Sequence, residues 1–358
     1  MFQQKPSRTF EPLTIRSVSF PNRIWVSPMC QYSSENGLPH DWHLVHLGAR
    51  AVGGAGMVMV EASGVSPEGR ITAWDSGIWS RAHAEAFKRI VAFIEGQGAV
   101  SAIQLAHAGR KASTDVPWRG GRPIVEGEHS WQTLAPSAIP FRDDYPTPRA
   151  MSRHALEQCV DDFARAAVYA REAGFRVVEI HAAHGYLLHE FLSPLANGRT
   201  DDYGGSLDNR MRFPLAVTRA VRDAWPAELP LFVRISASDW VEGGWTVKDS
   251  VVFATRLREI GVDLVDCSSG GMVPGAKIEV GPGYQVPFAR AVRAGAGVAT
   301  AAVGMITTAT QIEEILASGS ADAVFLARQL LRDPYFPLHA ARELGVDVKW
   351  PVQYERAQ

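Results

Sequence analysis

Cysteine is scarce in this 358-residue sequence, with only Cys30, Cys159 and Cys267. Three well-separated thiols fit neither a disulfide framework nor a zinc cluster. Long apolar runs are missing too: no window approaches the roughly 18 uninterrupted apolar residues of a membrane span. Neither sign of charge dominates. With 36 basic and 38 acidic residues the formal net charge is −2, so there is no electrostatic field to attract nucleic acid or an anionic membrane. The opening segment MFQQKPSRTF is polar and has no apolar stretch of the kind a signal peptide needs. A short internal repeat and a low-complexity tail are absent as well. These absences leave a cytoplasmic globular protein as the expectation.

What the sequence does have is a regular alternation. Hydrophobic residues make up 46% and charged residues 21%, the proportions of a chain with a sizeable core. Short apolar runs of strand character occur at 23–29, 56–62, 99–106, 176–182, 231–237, 262–269, 299–305 and 322–328. Several are apolar at nearly every position, as in parallel strands covered on both faces. Helix-like segments at 80–98, 155–174, 209–225, 247–261 and 308–319 lie between them, many stopping at glycine. The alternation predicts an α/β fold of the closed (β/α)8 TIM-barrel type. Residues 10–23 read as an N-terminal hairpin that plugs the barrel floor. The Gly-, Pro- and Trp-rich stretch 109–150 is too long for an ordinary connection and is expected to be a lid after strand 3. The whole chain, 1–358, is expected to be one barrel domain.

Polar or small residues gather at the C-terminal ends of the strands: Cys30, Glu61, Gln104, His107, His181, His184, Arg234, Ser268, Gly304 and Arg328. Ligands bind at that end of such barrels, whereas an open doubly wound sheet gathers its chemistry at one switch point. The glycine-rich AVGGAG at 51–56 precedes a strand, so it is no dinucleotide fingerprint. Gly304 and Ala327–Arg328, after the seventh and eighth strands, suit a phosphate held by backbone N–H groups, a helix N-terminus and a charged fork. In EIHAAHGYLLHEF, His181 and His184 lack the further ligands that a metal needs. At a strand end they can converge on one oxygen and stabilise charge developing there, with Tyr186 as a proton donor. Cys30 has no base in its local sequence to make it a nucleophile. Arg234 in an apolar strand asks for an anionic or carbonyl-bearing partner, and Gln104 asks the same with amide chemistry. His107, His189 and Glu61 remain conceivable metal ligands without supporting spacing.

The segments SPMCQYS, EASGVSPEGRIT, IQLAHAGRKA, HAAHGYLLHEFLSPLANGRTDDYGGSLDNR, VRISASDW and FLARQLLRDPYF together resemble the old yellow enzyme family of FMN-dependent ene-reductases. PMCQY and the C-terminal PVQYER resemble its thermophilic-like branch, which includes bacterial NADPH dehydrogenases and xenobiotic reductases. The resemblance runs from about Phe10 to Arg356. It implies a (β/α)8 barrel with non-covalent FMN at its mouth and NADPH or NADH as reductant. Ser27, Pro28, Met29, Cys30, Ala62 and Gln104 would line the isoalloxazine. Arg234 would lie beside the flavin N1–C2 edge, where positive charge favours the reduced, anionic flavin. Gly304, Ala327 and Arg328 would hold the phosphate. The family usually has glycine at the position of Ala327, and a methyl group there leaves the backbone N–H available.

The resemblance further implies that His181 and His184 bind the carbonyl oxygen of an α,β-unsaturated carbonyl or nitro compound. Hydride from flavin N5 would reach the β-carbon in a ping-pong cycle, and Tyr186 would protonate the α-carbon. Tyr32 would contact substrate, and Cys30 would tune the flavin. Arg356, on the tail 346–358, would reach a neighbouring active site in a homodimer or homotetramer. Two alternatives stand beside this reading: a phosphate-binding barrel isomerase or aldolase, and a flavin-binding barrel without turnover.

Overall fold

In the computed structural model, which describes residues 7–358, eight parallel strands close into a barrel. We number them β1 (Ile24–Val26), β2 (Met57–Gly64), β3 (Val100–Ala106), β4 (Val177–Ala182), β5 (Leu231–Ser236), β6 (Leu264–Ser268), β7 (Ala299–Ala302) and β8 (Ala323–Leu326). Each pairs with its neighbour in sequence, and β8 returns to β1 through Val324 opposite Ile24. That last pairing excludes the open sheet.

Side-chain alternation along each strand sorts the core into two layers. Ile24, Val26, Val58, Val60, Val178, Ile180, Val233 and Ile235 face outward to the helices. Trp25, Met57, Met59, Ala102, Val177, Phe232, Leu264 and Phe325 face inward and fill the bottom of the barrel. Beneath them lies the expected hairpin, Leu13–Ile15 against Val18–Phe20, which drives Phe20 up against Trp25 at 4.7 Å between ring centroids.

The helices predicted from periodicity appear as Arg81–Gly96, Arg153–Ala173, Leu207–Ala224, Val247–Ile260 and Ala309–Ala317. Ser152, Ser206, Thr246 and Thr308 cap four of them through side-chain oxygens, satisfying N–H groups that the first turn leaves free. Gly174 and Gly261 end two in the left-handed conformation. Among the helices of eight residues or more, Asp41–Val52, Val286–Ala296 and Phe336–Glu343 went unread in the sequence, as did the short helices Leu187–Leu192 and Arg328–Arg332. The three longer ones have N-caps His40, Gln285 and Tyr335, residues outside the usual Ser/Thr/Asp/Asn set.

Stretch 109–150 carries the short strands Leu134–Ala135 and Arg149–Ala150, which pair with each other. Arg110 ties it across the barrel mouth by donating to Met272 O at 2.8 Å and to Ile139 O and Pro140 O at 3.3 Å. Among the described residues no helix is long and apolar enough to cross a membrane.

Candidate active site

Two residues beyond the apolar layer, the inward positions turn polar. Ala102 gives way to Gln104, Val177 to Glu179 and His181, Phe232 to Arg234, and Leu264 to Asp266 and Ser268. Strand register then chooses the partners. Gln104 sits opposite Glu179 and donates from Nε2 to its Oε1 at 2.7 Å. Arg234 sits opposite Asp266 and also opposite His181. Its Nε lies 3.0 Å from Asp266 Oδ2, an ion-pair distance off the line of a hydrogen bond, and its Nη1 donates to Ser27 Oγ at 3.3 Å.

This layer is short of hydrogen bonds. Glu179 Oε2 and both Asp266 oxygens are buried without a hydrogen-bond partner among the described residues. Burial, and next the Asp266 charge, pushes Glu179 up to about 8 against the pull of Arg234 and Gln104. Burial likewise raises Asp266 to about 6 against the pull of Arg234. Because Glu179 occupies the amide N–H2 of Gln104, the free amide oxygen is left as an acceptor for a ligand N–H.

Ala62 reaches the same level through a bulge. The pairing of β2 with β3 shifts between Val60 and Ala62, which puts Ala62 opposite Gln104 and leaves Glu61 as the extra residue. Glu61 Oε2 accepts from the Gln31 N–H at 3.1 Å, and Oε1 from Ser76 Oγ at 3.0 Å. It therefore fixes the segment after Cys30. Among the described residues, no cluster of His, Cys, Asp and Glu could hold a metal.

Above this layer stand the histidines. The Ala183 N–H donates to His181 Nδ1 at 3.2 Å, which assigns the His181 proton to Nε2. That nitrogen faces His184 Nδ1 at 3.3 Å, while His184 Nε2 lies 2.7 Å from Ser268 Oγ. Burial, followed by the charge of Arg234, holds both imidazoles well below their ordinary range. Both rings are neutral at pH 7. In this contact the His181 Nε2–H donates to His184 Nδ1, which places the His184 proton on Nε2, toward Ser268 Oγ. If Ser268 instead donates to Nε2, the His184 proton moves to Nδ1 and a ligand oxygen can accept from both rings.

Tyr186 packs edge-on to His181, with centroids 5.0 Å apart. Burial raises its phenol, so it is protonated across the working pH range. Cys30 is likewise held as a thiol, chiefly by burial. Tyr32 adopts φ +49° and meets the exposed Trp118 edge-on at 6.0 Å.

A cavity of about 270 Å³ opens at the other side of the mouth, lined in part by Tyr284, Gln285, Gly304, Ala327, Arg328 and Arg332. Gly304 needs to be glycine: its φ is +115°, and a Cβ would meet the Gln285 side chain at 2.7 Å. Ala327 has φ −105°, on the side open to L-residues. The helix after β8 starts at Arg328 and runs only to Arg332, so the helix start in this cradle is a short one, set among turn backbone and guanidinium groups.

His107 and His189 prove to be loop anchors. His107 Nδ1 accepts from the Gly109 N–H at 3.1 Å. His189 Nδ1 accepts from the Gly185 N–H at 3.0 Å, and its Nε2 lies 3.0 Å from Asp239 Oδ1. Gly185, at φ +71°, brings its backbone against Gly271, where a Cβ would lie 2.1 Å from the carbonyl oxygen. Lys111 clamps this junction, donating to His184 O at 2.7 Å and Gly271 O at 3.1 Å. Sequence reasoning missed Glu179, Asp266 and Lys111. The first two were signalled by period-2 spacing from His181 and Ser268; nothing local marked Lys111. Arg356 lies exposed on the C-terminal tail, whose Tyr354 packs near Tyr335.

Residues 8–346 match the model of the NADH:flavin oxidoreductase / NADH oxidase family. The chain is 51% identical over 349 residues to an NADPH dehydrogenase of Geobacillus thermodenitrificans, covering 97% of both proteins. It is 49% identical over 353 residues to an NADPH dehydrogenase of Bacillus cytotoxicus, covering 98% of this chain and 97% of that one. Among solved structures it resembles morphinone reductase in complex with tetrahydroNAD, with TM-score 0.79, 28% identity and coverage of 97% and 93%. It also resembles an old yellow enzyme homologue from Zymomonas mobilis, with TM-score 0.80, 26% identity and coverage of 97% and 95%.

Proposed function

Since this chain belongs to the NADH:flavin oxidoreductase / NADH oxidase family, and is an FMN-dependent NADPH oxidoreductase of the old yellow enzyme kind, we propose that it reduces the C=C bond of α,β-unsaturated carbonyl and nitro compounds. The observation that carries this reading is the pair of neutral ring nitrogens, His181 Nε2 and His184 Nδ1, 3.3 Å apart at the mouth. An oxygen set against both nitrogens displaces their mutual hydrogen bond and, with His184 in the Nδ1–H tautomer, accepts from the two rings.

The polar layer suits FMN on its own terms. Gln104 offers an amide oxygen to an imide N–H, Arg234 offers guanidinium N–H groups, and Ser27, Pro28, Met29, Cys30 and Ala62 form the adjoining wall. Gly304, Ala327 and Arg328 take the phosphate in the cavity they line. Bound FMN supplies two-electron hydride chemistry between NADPH and the acceptor. His181 and His184 hold the acceptor's carbonyl or nitro oxygen and stabilise the negative charge that grows there as hydride reaches the β-carbon. Tyr186 gives its phenolic proton to the α-carbon. Tyr32 walls the same space. Cys30, held as a thiol, acts by contact and not as a nucleophile. Arg356 completes a neighbouring copy's site in a cytoplasmic homo-oligomer.

Anaerobic mixing of the reduced protein with 2-cyclohexenone tests the reading, with flavin absorbance as the signal. Rapid reoxidation is expected, and Tyr186→Phe should slow it while leaving reduction by NADPH intact. A reduced flavin that no activated alkene reoxidises would end the proposal. Replacing His181 and His184 by Ala should weaken phenol binding and its long-wavelength absorbance band.

A further inference from the structure

We propose that Lys111 is a positioning residue for proton delivery, its ammonium holding the ring of Tyr186 and balancing the charge left there when the phenol gives up its proton. The inference rests on the proton-donor reading of Tyr186 given above.

Lys111 follows β3, at the root of the folded excursion, and enters the mouth from the side. Its Nζ lies 5.0 Å from the centroid of Tyr186 and 4.7 Å from that of Phe141. Two of its three N–H groups go to the carbonyls of His184 and Gly271. Among the described residues it forms no ion pair within 4.0 Å. The ammonium is therefore not neutralised by a carboxylate in contact with it. A cation over an aromatic face is attracted by the ring quadrupole, and the attraction strengthens once the ring carries a full negative charge in a site shielded from water.

The step balances without further reagents. The Tyr186 O–H bond breaks, the proton forms the new C–H bond using the electron pair of the substrate's enolate carbon, and the oxygen pair stays on Tyr186. Solvent then returns the proton. Lys111 changes neither bond; it lowers the energy of the intermediate charge separation. The groups that face it are Glu190, Arg110, Tyr186, His181 and His184. Burial pulls Lys111 down to about 8, with the neighbouring Arg110 charge adding and Glu190 opposing. The ammonium is thus present below that pH and lost above it, while burial keeps the Tyr186 phenol protonated on both sides of the transition.

The test compares two acceptors. Photoreduced FMN-loaded protein is mixed anaerobically with 2-cyclohexenone, which needs a proton on carbon, or with 1,4-benzoquinone, which does not. Lys111→Gln should slow enone reoxidation by about thirtyfold, the size of one desolvated cation–π contact, with quinone reoxidation and phenol affinity reduced much less, by no more than the lost carbonyl clamp costs the histidine turn. In the wild type, enone reoxidation should fall as pH rises through about 8, and Lys111→Gln should abolish that limb. Equal slowing of both acceptors together with weaker phenol binding would reduce Lys111 to a clamp on the His184–Gly271 junction and overturn the proposal. So would unchanged kinetics with the pH limb intact. If Lys111→Gln does not load FMN, Lys111→Arg decides the matter. Arginine keeps its charge, so the limb should vanish from the accessible alkaline range while enone reoxidation persists, and a limb still at pH 8 would refute the role. Tyr186→Phe separates the two readings: if it leaves enone reoxidation unchanged, the proton-donor assignment falls first and this inference with it. A slow Tyr186→Phe beside a normal Lys111→Gln would refute this inference alone.

Discussion

The floor and the mouth of the barrel are made by the same strands, two residues apart, and they solve opposite problems. At the floor, Trp25 meets Phe20, Phe232 and Phe325 at centroid distances of 4.7, 5.8 and 5.5 Å. The Trp25 indole N–H is satisfied by Asn22 O at 3.1 Å. At the mouth, one step up the same strands, carboxylate oxygens of Glu179 and Asp266 are buried with no hydrogen bond. Stability is concentrated where there is no chemistry, and the polar layer carries a cost that chemistry requires.

Trp25→Ala should sharpen this contrast most. Loss of the ring from a packed floor should cost about 3–5 kcal/mol of stability, read by thermal or denaturant unfolding, while the folded fraction keeps the visible spectrum of bound flavin. Gly185→Ala should do the reverse. Its Cβ cannot share space with the Gly271 carbonyl, so the histidine turn must shift; phenol affinity and enone reoxidation should drop sharply while flavin stays bound. Large loss of overall stability with normal phenol binding would blur the distinction between the two ends.

Glu179→Gln addresses the cost at the mouth. The Glu179 pKa is raised by folding from its ordinary value of 4.5 to about 8, so the folded state binds the proton more tightly than the unfolded one. The native state is accordingly penalised as pH climbs between those values. The melting temperature of Glu179→Gln relative to wild type should rise from pH 5 to pH 8.5 and then level off. A difference that stays flat with pH would mean that Glu179 is comfortably ionised in the fold. The smallest effect belongs to the periphery, which serves neither end. Ser152→Ala removes the cap on the Ala155 N–H and should cost about 1 kcal/mol with kinetics unaltered.

The barrel was legible because parallel strands covered on both faces read as apolar runs, and because helix-like segments that stop at glycine alternate with them. The helix starting after His40 was not, since imidazole is a rare cap: its Nδ1 accepts from the Trp42 N–H at 3.2 Å. His181, His184 and Tyr186 could be found from local spacing, since one strand end and one turn hold all three. Lys111 could not. Its contacts with His184 and Gly271 span 73 and 160 residues of sequence, and only the closed barrel brings those loops together. His189 illustrates the same limit. Nothing in its local sequence could show that its partner is Asp239, fifty residues further along the chain.

The backbone contact between Gly185 and Gly271 has a consequence for how this molecule can change. Two loops that touch main chain to main chain share one set of allowed lengths, so an insertion in either displaces both. The excursion 109–150 is fastened mainly by side chains such as Arg110 and can be lengthened or rewritten around those anchors. Diversification of this scaffold, by nature or by design, should therefore keep the histidine turn fixed and redraw the excursion beside it.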